Sequence, residues 1–161
     1  MQLLTFTVAG QPYAIESRGV IEVLPLVPVR SIPLMPDYVR GVFTYRGRIV
    51  PLVDLCRRFG GGEPEGTGRH RLSTRVIVVE FAPAEGAERV RLGLIAENVV
   101  TVRAAEAVQG PCAQLDLGHS PFLGRLIRMG GQTVQMIVVE HLLPADLLAG
   151  LFPEGSGAQG T

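Results

Sequence analysis

Residues 41–55 read GVFTYRGRIVPLVDL. Val42 to Tyr45 and Arg48 to Val53 are apolar, β-branched runs on either side of Arg46-Gly47. Two such runs joined by an X-Gly pair form a hairpin, because Gly supplies the positive φ of a tight turn. Asp54 is placed to cap a short helix from Leu55 to Phe59, which Gly60 ends. This stretch therefore predicts strand, turn, strand and one helical turn.

Upstream, Val20 to Leu24 is a further apolar run built around Glu22. Pro25, Pro28, Pro33 and Pro36 exclude a regular helix or central strand over 25–36. Pro36 to Gly41 suits one helical turn stopped by Gly41. At the start, Leu4, Phe6 and Val8 alternate with Leu3, Thr5 and Thr7, a period of two that predicts a strand. A turn at 9–12 leads to a second extended stretch from Tyr13.

Downstream, residues 60–73 (GGGEPEGTGRHRLS) are a polar, Gly-rich loop that divides the chain into halves. Val76-Ile77-Val78-Val79 is apolar on both faces, as in a strand buried on both sides. Val90, Leu92 and Leu94 alternate with Arg91 and Gly93, and Val99 to Arg103 reads as a separate short strand. Residues 104–121 read as irregular. Leu123 to Met129 and Gln132 to Val139 flank Gly130-Gly131, a second hairpin. His141 to Phe152 suits a closing helix interrupted early by Pro144, and a disordered tail is expected over 153–161. Many short strands in two halves predict an all-β chain of two small barrels.

Composition narrows the function. The 161 residues carry fifteen Arg against fifteen Asp and Glu, with no Lys and no Trp. Without lysine there is no P-loop lysine, Schiff base or lysine general base. Zero net charge argues against a nucleic-acid binder and against a polybasic membrane surface. An arginine-for-lysine bias of this kind is mainly the mark of a GC-rich genome. Hydrophobic residues at 47% and charged residues at 19% describe a globular chain with a real core. The N-terminus has no signal-peptide pattern and no apolar run is long enough to span a membrane, so a cytoplasmic protein without membrane insertion is expected.

Candidate chemistry is sparse. Cys56 and Cys112 form no C-x-x-C pair; buried thiols are the expectation, with a disulfide between them as the alternative. His70, His119 and His141 have no partner at metal-ligand spacing. Gly60-Gly61-Gly62 lacks the Lys-Ser/Thr of a phosphate loop, and Gly118-His119-Ser120-Pro121-Phe122 lacks the last glycine of a nucleophile elbow. Glu16 and Glu22 suit solvation or ion pairing better than acid–base work. No metal, cofactor or catalytic set is expected; a small enzyme using Cys56 or a histidine is the remote alternative.

The 41–55 stretch resembles the signature of the CheW family, adaptors of bacterial chemosensory arrays. The family pattern is G-V-x-x-x-R-G-x-I/V-x-P-V/L-I/V-D-L, met here by Gly41, Arg46, Gly47, Pro51 and Asp54 among others. Val20-Ile21-Glu22-Val23 matches the family's V-x-E-V/I strand, and Arg75 to Val79, Leu92 to Ile95, Val99 and Val102 follow it in the second half. The resemblance covers residues 3–152. Glu97 and Glu140 stand where the family commonly has Asp. The runs VIEVLPLV, GVFTYRG and VEHLLP are most similar to couplers of Wsp-type surface-sensing systems (WspB-like).

The resemblance implies two intertwined SH3-like five-stranded barrels in a single domain over 1–152. Sub-barrels are expected near 11–59 and 74–140, completed by the terminal segments. It implies a non-enzymatic adaptor with two partners: the cytoplasmic tip of a methyl-accepting chemoreceptor and the regulatory domain of a CheA-type histidine kinase. A detached regulatory-type domain that binds kinase alone, as spacer or competitor, is the alternative. Val20, Gly41, Arg46, Val99 and Val102 match positions that line or support the receptor groove. For Gly41 a backbone requirement competes with direct contact. Glu22 and Arg46 match a bridge near that groove, expected as a charge-assisted hydrogen bond. Partly buried, the loss of one partner would cost about 3 kcal/mol; exposed, the pair is worth under about 1 kcal/mol.

Overall fold

The computed structural model describes residues 2–60, 72–103, 107–108 and 121–153. His70, His119, Cys112, most of the Gly-rich loop and the tail beyond Pro153 lie outside the described residues. The strands are β1 (Gln2–Val8), β2 (Gln11–Glu16), β3 (Val20–Leu24), β4 (Val39–Tyr45) and β5 (Arg48–Asp54), then β6 (Thr74–Phe81), β7 (Val90–Arg103), β8 (Ala107–Val108), β9 (Leu123–Met129) and β10 (Gln132–Ile137). Among the described residues, two short α-helices, α1 (Leu55–Arg58) and α2 (Ala145–Leu151), and two 3-10 turns, Ser17–Gly19 and Val139–His141, complete the elements.

Three hairpins turn in the same way. Ala9-Gly10, Arg46-Gly47 and Gly130-Gly131 each place two successive residues at positive φ. Such turns match the right-handed twist of the strands they join. Gly47 was expected at positive φ; Arg46, at +49°, joins it there. A side chain with a Cβ sits in this region at a cost of about 1 kcal/mol.

The first barrel consists of β3, β6, the first part of β7, β5 and β4, with β5 joining β7 in parallel. Its interior is Phe43, Tyr45, Val50, Leu52, Val76, Val78 and Ile95. The second barrel runs from the far part of β7 through β1, β2, β10 and β9 to β8. Leu3, Ala14, Ile127, Val134 and Met136 fill it. A third and larger core lies between the barrels, drawing Leu4, Phe6 and Ile15 from the second and Val53, Ile77, Val79 and Leu94 from the first.

The period of two explains this division. On β6, Val76 and Val78 point into the first barrel, while Ile77 and Val79 point into the junction. On β1, Leu3 points into the second barrel, while Leu4, Phe6 and Val8 point into the junction. A strand shared by two cores must be apolar on both faces, as 76–79 is. Each fully buried aliphatic side chain there contributes about 2 kcal/mol relative to exposure.

Several expectations are corrected. Val99 to Arg103 is not a separate strand; Val90–Arg103 is one strand of 14 residues. Asn98 at φ +52° marks its bend, and the register with β1 shifts between Thr5 and Thr7. This bent strand serves both barrels. Residues 74–97 complete the first barrel, and β1 and β2 open the second. Within 104–121, Ala107–Val108 forms a short strand paired with Met129 and Arg128. Pro144 does not interrupt the closing helix but precedes its first residue, where a missing N–H costs nothing. Pro36 to Gly41 is not a helical turn. Val39 N–H donates to the Pro36 carbonyl at 3.0 Å, and β4 begins at once.

Candidate functional site

Where the barrels meet, a cleft of about 590 Å³ opens. One wall is the end of β2 with the 3-10 turn Ser17–Gly19 and the end of β6; the other is the start of β9 and the chain from Met136 to Glu140. Ile15, Val79, Phe81, Met136 and Ile137 supply apolar lining, and Arg18, Glu80, Arg89, Arg125 and Glu140 supply charge. A cleft lined by both apolar and charged side chains suits an amphipathic protein segment.

The edge is partly organised. Glu80 accepts from Arg89 Nε at 3.0 Å and Arg91 Nε at 3.2 Å. These bonds, Arg91 first, hold its carboxyl below the usual carboxylate range. Arg18 meets Glu16 at 2.9 Å with its side chain 86% exposed, so that pair is a weak tie.

Glu22 and Arg46 form a second centre. The expected hydrogen bond between them is not the geometry found. Arg46 Nη2 stands 3.8 Å from Glu22 Oε2, with 60% and 41% of the side chains exposed. Glu22 Oε2 instead accepts from the Tyr45 hydroxyl at 2.6 Å. Arg46 stacks over the Tyr45 ring at 5.1 Å, and Arg91 approaches the same ring at 5.9 Å. Burial, followed by the bond to Glu22, pushes the Tyr45 phenol above its ordinary value.

The other expected site residues fall in different places. Val20 is half-buried opposite Val79, next to the cleft, and packs on the junction core. Val99 packs on that core too. Val102 pairs with Leu3, three residues further on and so on the opposite face of β7. The two valines do not line one wall. Gly41 is buried at φ +138°, and a Cβ there would run into the Arg30 carbonyl and lie 2.8 Å from Val29 Cγ1. Its role is to let Arg30 bridge to Val42 by two 2.9 Å hydrogen bonds. Gly47 occupies its turn, and Pro51 is buried in β5 opposite Val42. Asp54 caps α1 by accepting from Cys56 N–H at 3.0 Å. Cys56 is half-buried, and burial pushes its thiol up, away from the reactive thiolate.

Two residues escaped the sequence reading. Tyr45 shares the inward face of its strand with Phe43, and its hydroxyl needs an acceptor; the nearby Glu22 could not be known from spacing. Arg58 closes α1 and lies over Phe122 at 4.5 Å and Tyr38 at 5.1 Å. Its only sequence signal was its place in a last helical turn. Among the described residues no group of three His, Cys, Asp or Glu side chains is arranged to hold a metal. No helix of the described residues is long and apolar enough to cross a membrane.

Comparison with known proteins places this geometry. The CheW-like domain model matches residues 2–146. A chemotaxis protein CheW of Treponema pallidum is 31% identical over 142 residues, covering 86% of this chain and 78% of the relative. A chemotaxis protein CheW of Rhizobium meliloti is 27% identical over 148 residues, covering 90% and 88%. In structure, the scaffolding protein TtCheW of Thermoanaerobacter tengcongensis aligns with a TM-score of 0.68 at 23% identity, covering 88% of this chain and 90% of that one. With the hairpin signature, the paired barrels and a family match across nearly the whole chain in agreement, the protein belongs to the CheW-like domain family.

Proposed function

We propose that this protein is a non-enzymatic chemotaxis adaptor that couples a methyl-accepting chemoreceptor to a CheA-type histidine kinase. The observation that supports the reading most is the cleft between the barrels, lined by apolar and charged side chains together. A receptor's helical tip laid there buries an apolar stripe and meets arginines along its sides. Of the matched groove positions, Val20 follows Gly19 of the cleft lining and pairs with Val79, while Arg46 is exposed on the first barrel and is not part of that lining. The adaptor's work is contact rather than chemistry. It sits in the cytoplasm and reaches the membrane through the receptors it holds.

Co-sedimentation tests this. Receptor-containing membranes and kinase are spun with and without the protein, and kinase autophosphorylation is read in the same samples. Recruitment of kinase together with changed autophosphorylation is the expected outcome. Kinase binding with no receptor coupling would instead make the chain a spacer or competitor. The Wsp-type assignment rests on the runs VIEVLPLV, GVFTYRG and VEHLLP. A diguanylate-cyclase response regulator encoded beside the gene supports it, and a flagellar-motor operon overturns it.

A further inference from the structure

We infer that Arg58 is a positioning residue that fixes the second-barrel wall of the cleft from its seat on the first barrel. This inference rests on the receptor-groove reading of that cleft.

Arg58 ends α1, the helix that follows β5 directly. Its guanidinium is held three ways. Nε donates to the Leu142 carbonyl at 2.7 Å. The Phe122 ring lies at 4.5 Å and the Tyr38 ring at 5.1 Å. Tyr38 is itself tied to the start of α1, because its carbonyl accepts from Asp54 N–H at 2.8 Å. Phe122 is stacked from another side by Phe59, at 5.2 Å and 6° between planes. A planar, permanently charged group between two rings, with one N–H directed at a carbonyl, has little freedom.

The two gripped points bracket the cleft wall. Gly124 and Arg125, just past Phe122, line the cleft, and so does the chain from Met136 to Glu140, just before Leu142. They are tied to each other as well. Val138 N–H donates to the Phe122 carbonyl at 2.8 Å, and Leu142 N–H donates to the Val139 carbonyl at 3.1 Å. Arg58 thus sets where both strands of the wall stand relative to β5. It touches no cleft occupant itself; it acts through the wall.

The experiment uses the full chain with Arg58→Ala, Arg58→Lys and Phe122→Leu. Lysine keeps the charge but loses the planar stack and the Nε bond. Leucine keeps apolar burial but removes the ring. Two measurements are made: amide hydrogen exchange along the chain, and affinity for a soluble helical hairpin of the receptor tip and for the kinase regulatory domain separately. All three variants are expected to lose protection at Val138 and Leu142 ahead of β6. They are also expected to bind the hairpin roughly ten-fold or more weakly, since a small misplacement of a site has effects of at least that size. Kinase-domain affinity stays near wild type. Retained protection at Val138 and Leu142 overturns the inference, as does a uniform loss across the chain in both the lysine and leucine variants. Wild-type protein that fails to bind the hairpin overturns the receptor reading instead, while the exchange data still judge Arg58.

Discussion

The Tyr45 hydroxyl donates to Glu22 Oε2 at 2.6 Å and occupies the side of that carboxylate toward which Arg46 reaches only to 3.8 Å. Tyr45 comes from the inner face of β4 and is 5% exposed, whereas Arg46 projects from the turn. The short bond ties β3 to β4, two strands that share no ladder. Tyr45→Phe is expected to lower the urea midpoint more than Arg46→Ala, whose loss is under about 1 kcal/mol. The phenol's raised pKa has a second consequence. The stability it carries is complete below its ordinary value of 10.0 and is lost as pH rises through the raised one. Wild type should therefore lose stability more steeply than Tyr45→Phe in alkaline denaturation series; parallel curves would contradict the bond.

Arg46 sits at φ +49° beside Gly47 at +76°. Asn tolerates this turn position better than Arg. Arg46→Asn should leave stability unchanged or raise it, by up to about 1 kcal/mol. Binding to receptor-containing membranes should nonetheless fall. Thermal melts and sedimentation of the same variant separate the fold from the function.

Gly41→Ala should fail as a fold, not as a contact. The added methyl meets the Arg30 backbone at a position already at φ +138°. A loss of at least about 2 kcal/mol is expected, from strain and from overpacking. Denaturant unfolding gives the number; a stable variant with selective loss of receptor binding would restore Gly41 as a direct contact.

Val99→Asp places a carboxylate against the junction core. It should destabilise the chain by about 2 kcal/mol. Val100, 55% exposed one residue later, is the control, and Val100→Asp should stay within about 0.5 kcal/mol of wild type. Circular dichroism melts of the pair decide whether Val99 belongs to the core.

Glu80 gives an acid-side test. Its carboxyl is held below the ordinary 4.5 by Arg91 and Arg89. The stability it carries is complete above that ordinary value and is lost as pH falls through the depressed one. Glu80→Gln should remove this part of the acid dependence. The wild-type and variant curves should converge as pH falls; a constant gap down to strongly acid pH would assign Glu80 no such role.

The local elements were legible in the chain because their causes are local. Arg46-Gly47 between β-branched runs made a hairpin, Asp54 before Leu55 capped a helix, and the two-faced run 76–79 announced a strand between two cores. The family signature followed from the same residues. What the sequence could not contain was which strands share a barrel, because β7 bends at Asn98 and enters both. The odd spacing of Val99 and Val102 on one strand already put them on opposite faces, but no spacing could show that Gly41 yields to the Arg30 backbone. Glu22 found Tyr45, and Arg58 found Phe122 and Leu142, over distances in sequence that no local pattern encodes. Turns and caps are settled by neighbours along the chain; the cleft and its supports are settled by side chains that meet only once both barrels have closed.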